Sequence, residues 1–282
     1  MSNTTIETEH ATVCTLLSLR AKSWWRTSLS LKGLSFVVVA VSLVPNFPAV
    51  PVPFVVVAIA ILAELASQKM EIIKGDAEMV RRSVDWLESL GWPVSNRDYP
   101  DMLVRYDDIL KEASMLAATA EPYFASLEVP SSKRLLENVM ESAWWSKHLC
   151  QRMVRYCQIF AAFAIGGSFI LLTIALIGVD SNKVRVGVAR VVASLLTLVL
   201  SFGLVNLIRG YSRFARKAED VEVKAEVLLN SGCGEIDAIK LMQAYHLARA
   251  GAPIIPDSVW RRMRPALNEL WKKKRRLRPE SS

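Results

Sequence analysis

The chain has 282 residues, a formal net charge of +8 and 52% hydrophobic residues, with a mean hydropathy of +0.26. Its apolar residues clump into two blocks, 33–65 and 159–208, and the sequence between and after them is highly charged. A soluble globule spreads its apolar residues along amphipathic elements, so this layout speaks against one. It predicts an all-α integral membrane protein: two transmembrane helical hairpins with helical cytosolic extensions.

Residues 1–32 read as a cytosolic N-terminal lead. Glu7, Glu9 and His10 do not suit the n-region of a cleavable signal, and no apolar core follows promptly. Trp24-Trp25-Arg26 has the composition of an interfacial aromatic belt beside a cytoplasmic charge. The first hairpin occupies 33–65. Prolines at 45, 48, 51 and 53 forbid one continuous helix, so two short spans joined by a charge-free loop are expected, with a re-entrant hairpin as the alternative. Glu64 is the one carboxylate in either arm. It snorkels at the interface or faces a pore.

Residues 66–158 form a cytosolic helical segment. The run LASQKMEIIKGDAEMVRRSVDWLESLG has helical spacing and continues the second span as a stalk up to Gly91 and Pro93. A helix is expected over 99–120, with Pro100 in its first turn. After Pro122 and Pro130, Ser131 and Ser132 can cap a helix starting near Lys133, which runs into the third span without a break. The carboxylates of this segment, scattered among basic residues at helical spacing, read as a solvated face.

The second hairpin occupies 159–208. Ile159–Val179 is free of charge, and a helix needs ~20 apolar residues to cross ~30 Å of hydrocarbon. A connector, DSNKVRVGVAR, leads to a fourth span over 191–208 that contains Asn206. Small residues in the third span, among them Ala164, Gly166, Gly167 and Ser168, permit close helix contact. Residues 209–282 are a basic cytosolic helical tail. The fourth span extends into it until Ser231-Gly232-Cys233-Gly234, a helix covers 236–250, and Asp257 caps a last helix ending in KKKRRLR. That run fits anionic lipid headgroups, or less well nucleic acid.

Lys and Arg set the orientation. Four precede the first span, none lies in 45–53, twelve lie in 66–158, three in the connector and sixteen from 209 onward. Both termini and the central segment are therefore expected in the cytoplasm of a multi-pass inner-membrane protein. Cys14, Cys150, Cys157 and Cys233 show no metal-type pairing, and His10, His148 and His246 are scattered, so neither zinc nor disulfides are expected. No phosphate-cradling loop, GxGxxG, HExxH or CxxC occurs. An enzyme is not expected, nor a metal or a cofactor.

Trp144-Trp145 stands out in SAWWSKHLCQR. Adjacent tryptophans point in different directions on a helix, so the pair is packed on two sides, anchors at the interface, or offers a stacking surface for a base. In the last case Lys147, His148 and Arg152 are near enough to meet phosphates. Glu64 and Asn206 are the candidates for a pore or an interhelical contact.

Four details carry a family resemblance: the lead LLSLRAKSWWRTSLSLK, the Trp-Trp pair before the third span, the motif YHLARAGAPIIPDSVW over 245–260, and the order of elements along nearly the full chain. On these the chain resembles the four-transmembrane pore-forming effectors associated with SMODS nucleotidyltransferases and SLOG proteins in bacterial defence islands. Its lead departs in carrying Trp24-Trp25 where a tyrosine and polar residues are expected. The resemblance implies a mechanism. A partner nucleotidyltransferase detects phage and makes a diffusible nucleotide, for which a cyclic nucleotide is the expected ligand. The effector then acts as a homo-oligomer in the lipid bilayer and breaches it, with no direct contact to nucleic acid. The alternative is a membrane-anchored scaffold or receptor subunit that recruits a cytosolic partner without ion leak.

Overall fold

The structure, a computed structural model, describes residues 3–42, 51–93, 104–116, 124–178, 186–189, 192, 203–232 and 234–276. It is all-helical, and among these residues there is no strand. The helices are α1 (Asn3–Val41), α2 (Val52–Leu90), α3 (Asp107–Leu116), α4 (Ser132–Gly178), α5 (Leu204–Ser231), α6 (Glu235–Ala250) and α7 (Asp257–Arg276). Most of the proline-rich loop 45–53, most of the connector and most of the expected fourth span 191–208 lie outside the described residues, as do Cys233 and the last residues of KKKRRLR.

The helix ends follow local chemistry. Gly91 closes α2 at φ 70°, and its N–H donates to the Leu87 carbonyl at 2.9 Å. Ser131 caps α4: its Oγ accepts from the Arg134 N–H at 3.3 Å, and its carbonyl accepts from the Leu135 N–H at 2.9 Å. Gly232 ends α5 at φ 69°, a left-handed conformation that glycine enters without steric cost. The helix expected over 99–120 is interrupted where it is described, with 104–105 helical before the break. The chain turns at Tyr106, whose hydroxyl donates to Asp76 Oδ2 at 2.7 Å, and α3 begins only at Asp107. Asp257 is the first residue of α7 rather than its cap; the Pro256 carbonyl accepts from the N–H groups of Val259 and Trp260.

The chain divides into two compact units. The second unit comprises 22–71 and 153–209. In it the Ser28 hydroxyl donates to the Ala63 carbonyl at 2.9 Å and shares a hydrogen bond with Ser67 Oγ at 2.8 Å, which ties α1 to α2. Lys69 lies over the Trp24 ring, 5.1 Å from its centroid. Large apolar side chains remain exposed here, among them Phe54, Ile61 and Leu62 on α2 and Phe163, Phe169 and Ile177 on α4. By length and composition α2, and α4 as far as Ile174, could each cross a membrane. Glu64 and Asn206 are both exposed, Glu64 on α2 and Asn206 in the first turn of α5.

The first unit comprises 1–21, 72–152 and 210–282. Its core is built by Leu17 of α1, Val80 and Val84 of α2, Leu135, Leu136, Val139 and Cys150 of α4, Tyr211 and Val221 of α5, and Met242 and Tyr245 of α6. The turn between α6 and α7 is fixed from two sides. Lys74 of α2 donates to the Ala252 carbonyl at 2.6 Å, and the Tyr211 hydroxyl donates to the Ile254 carbonyl at 2.5 Å. Gly210 lies so close that a Cβ there would meet Pro253 Cγ at 2.7 Å. The motif 245–260 is thus a turn clasped by α2 and α5.

Candidate functional site: a buried ionic and aromatic network

The polar network of the first unit begins with two carboxylates on α2. Glu78 and Asp85 are seven positions apart, which at 3.6 residues per turn puts them on nearly the same face. Opposite them α6 presents His246 and Arg249, three positions apart and also on one face. Arg249 Nε donates to Glu78 Oε2 at 2.7 Å, and Nη2 donates to Asp85 Oδ2 at 3.1 Å. His246 Nε2 lies 3.0 Å from the same Asp85 oxygen. An ionised carboxylate only accepts, so that nitrogen carries the hydrogen.

Asp85 is 2% exposed. Burial pushes its carboxyl up, but the Arg249 guanidinium, the His246 hydrogen bond and the field of Arg81 outweigh burial and hold it below the ordinary aspartate range. Burial lowers Arg249, yet Asp85 and Glu78 reverse this and raise it, so its charge is permanent. Two acids around one forked cation make a largely buried charge cluster in which removal of the cation strands both acids. The expectation that the central carboxylates form a solvated face therefore fails at Asp85. It lies beside Val84 on the buried side of α2, a position at which the sequence pattern alone gives a carboxylate no partner.

Aromatic groups frame this cluster. Trp86 meets the His246 ring edge-on at 5.6 Å, and the Tyr245 hydroxyl shares a hydrogen bond with Ser146 Oγ of α4 at 2.8 Å. The second half of the network lies on that helix. Trp144 is 6% exposed and packs its ring against Trp145 at 6.0 Å, His148 at 4.6 Å and Trp271 of α7 at 5.2 Å. Lys147 Nζ lies 2.6 Å from Glu222 Oε2 and 3.9 Å from Glu219 Oε1, both on α5. Lys274 of α7 pairs with the other oxygen of Glu222. Burial raises Glu222, and the two lysines more than reverse this, so its carboxyl lies below the ordinary range. Burial, then the neighbouring Lys147 charge, holds His148 below the ordinary imidazole value.

Of the residues singled out in the sequence, Trp144, Trp145, Lys147 and His148 are together in this network, Trp144 inside it and the other three half-buried. Arg152 is exposed on the same helix, and Glu64 and Asn206 belong to the other unit. The partners that sequence reasoning missed are Glu78, Asp85, His246, Arg249, Glu222, Trp271 and Lys274. A signal existed for two pairs, the seven-residue spacing on α2 and the three-residue spacing on α6. Nothing local marks Glu222 or Lys274, which meet across 52 positions.

Chemically the network presents fixed charge and rings packed edge-on or tilted, and the buried thiols of the same unit are held inert: burial pushes Cys14 up to about 11 and Cys150 up to about 12. It is built to hold helices in register, and losing the shared cation Arg249 leaves the carboxylates of Glu78 and Asp85 without it. Comparison with family models, with curated proteins and with solved structures finds no match to this chain.

Proposed function

We propose that this chain is a bacterial antiphage effector, a multi-pass protein of the inner membrane with both termini in the cytoplasm, which breaches the bilayer when triggered. The observation that carries the reading is the composition of α2 and α4. Each is one helix that combines a long exposed apolar stretch with a stretch whose side chains enter the network of the first unit. Apolar surface of that extent is costly in water and satisfied in lipid. A helix shared in this way can carry a change in the network to the apolar stretch. The two blocks form helical hairpins, and the sequence resemblance supplies the trigger: a nucleotide, cyclic in the expected case, made by a partner nucleotidyltransferase. The ligand engages the cluster of Trp144, Trp145, Lys147, His148 and Arg152. Phosphate competes with Glu222 for Lys147, and a base stacks where Trp271 now lies. Copies of the chain assemble in the bilayer, with Glu64 and Asn206 at the conducting path or between subunits.

A second reading, a membrane-anchored scaffold that recruits a protein partner, is favoured by the exposed Val223, Val227, Ile236 and Leu247 of the first unit. One experiment separates the two. Membrane potential is followed in bacteria expressing the chain alone, then with the nucleotidyltransferase and phage. The effector reading expects depolarisation only in the triggered cells. An intact potential in every condition, with the chain verified in the membrane fraction, refutes it and leaves the scaffold.

A further inference from the structure

Of the twenty residues of α7, eight are Lys or Arg, against the two acids Asp257 and Glu269. They are not spread evenly. Val259, Leu267 and Trp271 are buried, and with the half-buried Met263 and Lys274 they fill an arc of about 120° at 100° per residue. Arg261, Arg262, Lys272, Lys273, Arg275 and Arg276 are all exposed and lie on the remaining side of the helix. Arg264 extends that side and stacks on Trp260 at 4.9 Å. Of this basic arc, Arg275 takes part in the docking of α7, which includes Trp271 against Trp144, Lys274 with Glu222, and a hydrogen bond from Arg275 to the Ala125 carbonyl at 2.8 Å.

We propose that this basic arc is a docking surface for the headgroups of anionic phospholipids. Clusters of four to eight basic residues on an amphipathic helix are the electrostatic match for a bilayer surface that carries phosphodiester charge. The acid nearest the arc, Glu269, is already paired with Lys272 at 3.1 Å, so the arc keeps a strong net positive charge. Two helices of the same chain are long and apolar enough to cross a membrane, and a basic surface tethered to a bilayer meets its lipids at high effective concentration. Single-stranded nucleic acid is the poorer match. Its non-specific sites interleave aromatic rings with the charges, whereas Trp271 is buried in the packed arc of α7 and Trp260 is occupied by Arg264. The inference rests on the membrane part of the proposed function and is independent of whether the chain leaks ions.

The test uses the full chain in lipid nanodiscs, with Cys233→Ser and a donor dye on Asn268→Cys, which is exposed on α7. The acceptor is a headgroup-labelled lipid. Energy transfer is expected to rise about twofold between discs of phosphatidylcholine and discs with about 30% phosphatidylglycerol, and to fall back in 1 M salt, where the screening length is ~3 Å. The quadruple variant R261Q/R262Q/K273Q/R276Q, which spares Lys272, Lys274 and Arg275, is expected to lose that rise while keeping the wild-type melting temperature. Equal transfer in both lipid mixtures overturns the proposal. So does a dye response to an added oligonucleotide with none to phosphatidylglycerol, which identifies nucleic acid as the occupant. Recovery of the chain outside the discs overturns the membrane reading and this inference together, whereas discs that leak no ions leave the inference standing on the transfer signal.

Discussion

Arg249 donates a hydrogen bond to Asp85 at 3.1 Å across 164 positions of sequence, and its Nε donates to Glu78 at 2.7 Å. One planar cation thereby fastens α6 to two turns of α2. Removing it leaves two carboxylates facing each other in a setting with little water. Arg249→Met is expected to destabilise the first unit by ~3–5 kcal/mol. Arg249→Lys recovers only part of that, because a point charge cannot serve both carboxylates with fork geometry. Thermal unfolding in detergent, followed by tryptophan fluorescence, measures both. A methionine variant that melts with the wild type refutes the account.

Acid acts on the same contacts. Asp85 and Glu222 both lie below their ordinary values of 3.8 and 4.5 in the fold. Their contribution is full above those values and is lost as pH falls through the lower, folded values. Glu141 runs the other way: burial raises its carboxyl, so it favours the fold as pH falls and opposes it as pH rises. The melting temperature is expected to hold between pH 6 and pH 8 and to drop below about pH 4. Asp85→Asn should flatten that drop. An unchanged acid limb in Asp85→Asn would assign the drop to other carboxylates.

Gly210 and Gly75 make a matched pair of substitutions. At Gly210 a methyl group meets the Pro253 ring at 2.7 Å, and a pyrrolidine ring clasped by its neighbours cannot swing away. Gly210→Ala should cost ~1–3 kcal/mol through overpacking. At Gly75, exposed in the middle of α2, a methyl group meets nothing within 4 Å. Gly75→Ala should gain up to ~1 kcal/mol of helix propensity. The difference between their unfolding midpoints is the measurement, and equal shifts would refute the close approach.

Trp271 is the apolar anchor of α7. Trp271→Ala should cost ~3–5 kcal/mol, exposing Trp144 and opening α7 to trypsin before the rest of the first unit. Trp144 emission would move to longer wavelength at the same time. Early tryptic cuts confined to other helices would show that α7 is held mainly by Lys274 and Arg275.

Much of the helical plan was legible in the sequence. The stalk after Glu64, the serine start of α4, its unbroken run into an apolar stretch, and the glycine stops at Gly91 and Gly232 follow from local rules of spacing and capping. The network was only half legible. Trp144, Trp145, Lys147 and His148 could be found because they are adjacent on one helix and rich in rings and charge. Asp85 looked like one more surface acid, since its burial is decided by Arg249, which the sequence places far away. Glu222 was hidden for the same reason, with Lys147 and Lys274 arriving from two other helices. Local pattern reports which face of a helix is apolar; it does not report which distant cation will neutralise an acid on that face.

The distance from Asp85 to Arg249 also sets an order of events during synthesis. At ~5–20 residues per second a ribosome needs roughly 10–30 s to travel from the first to the second. Throughout that interval the two carboxylates of α2 have Arg81 of their own helix nearby but lack Arg249. The first unit draws on three separated stretches of chain, 1–21, 72–152 and 210–282, so its core cannot close until α5, α6 and α7 leave the ribosome. A nascent chain cut short before α6 would hold the apolar stretches of α2 and α4 without a finished first unit. The order of synthesis thus places the exposed apolar stretches of α2 and α4 ahead of the helices that complete the first unit.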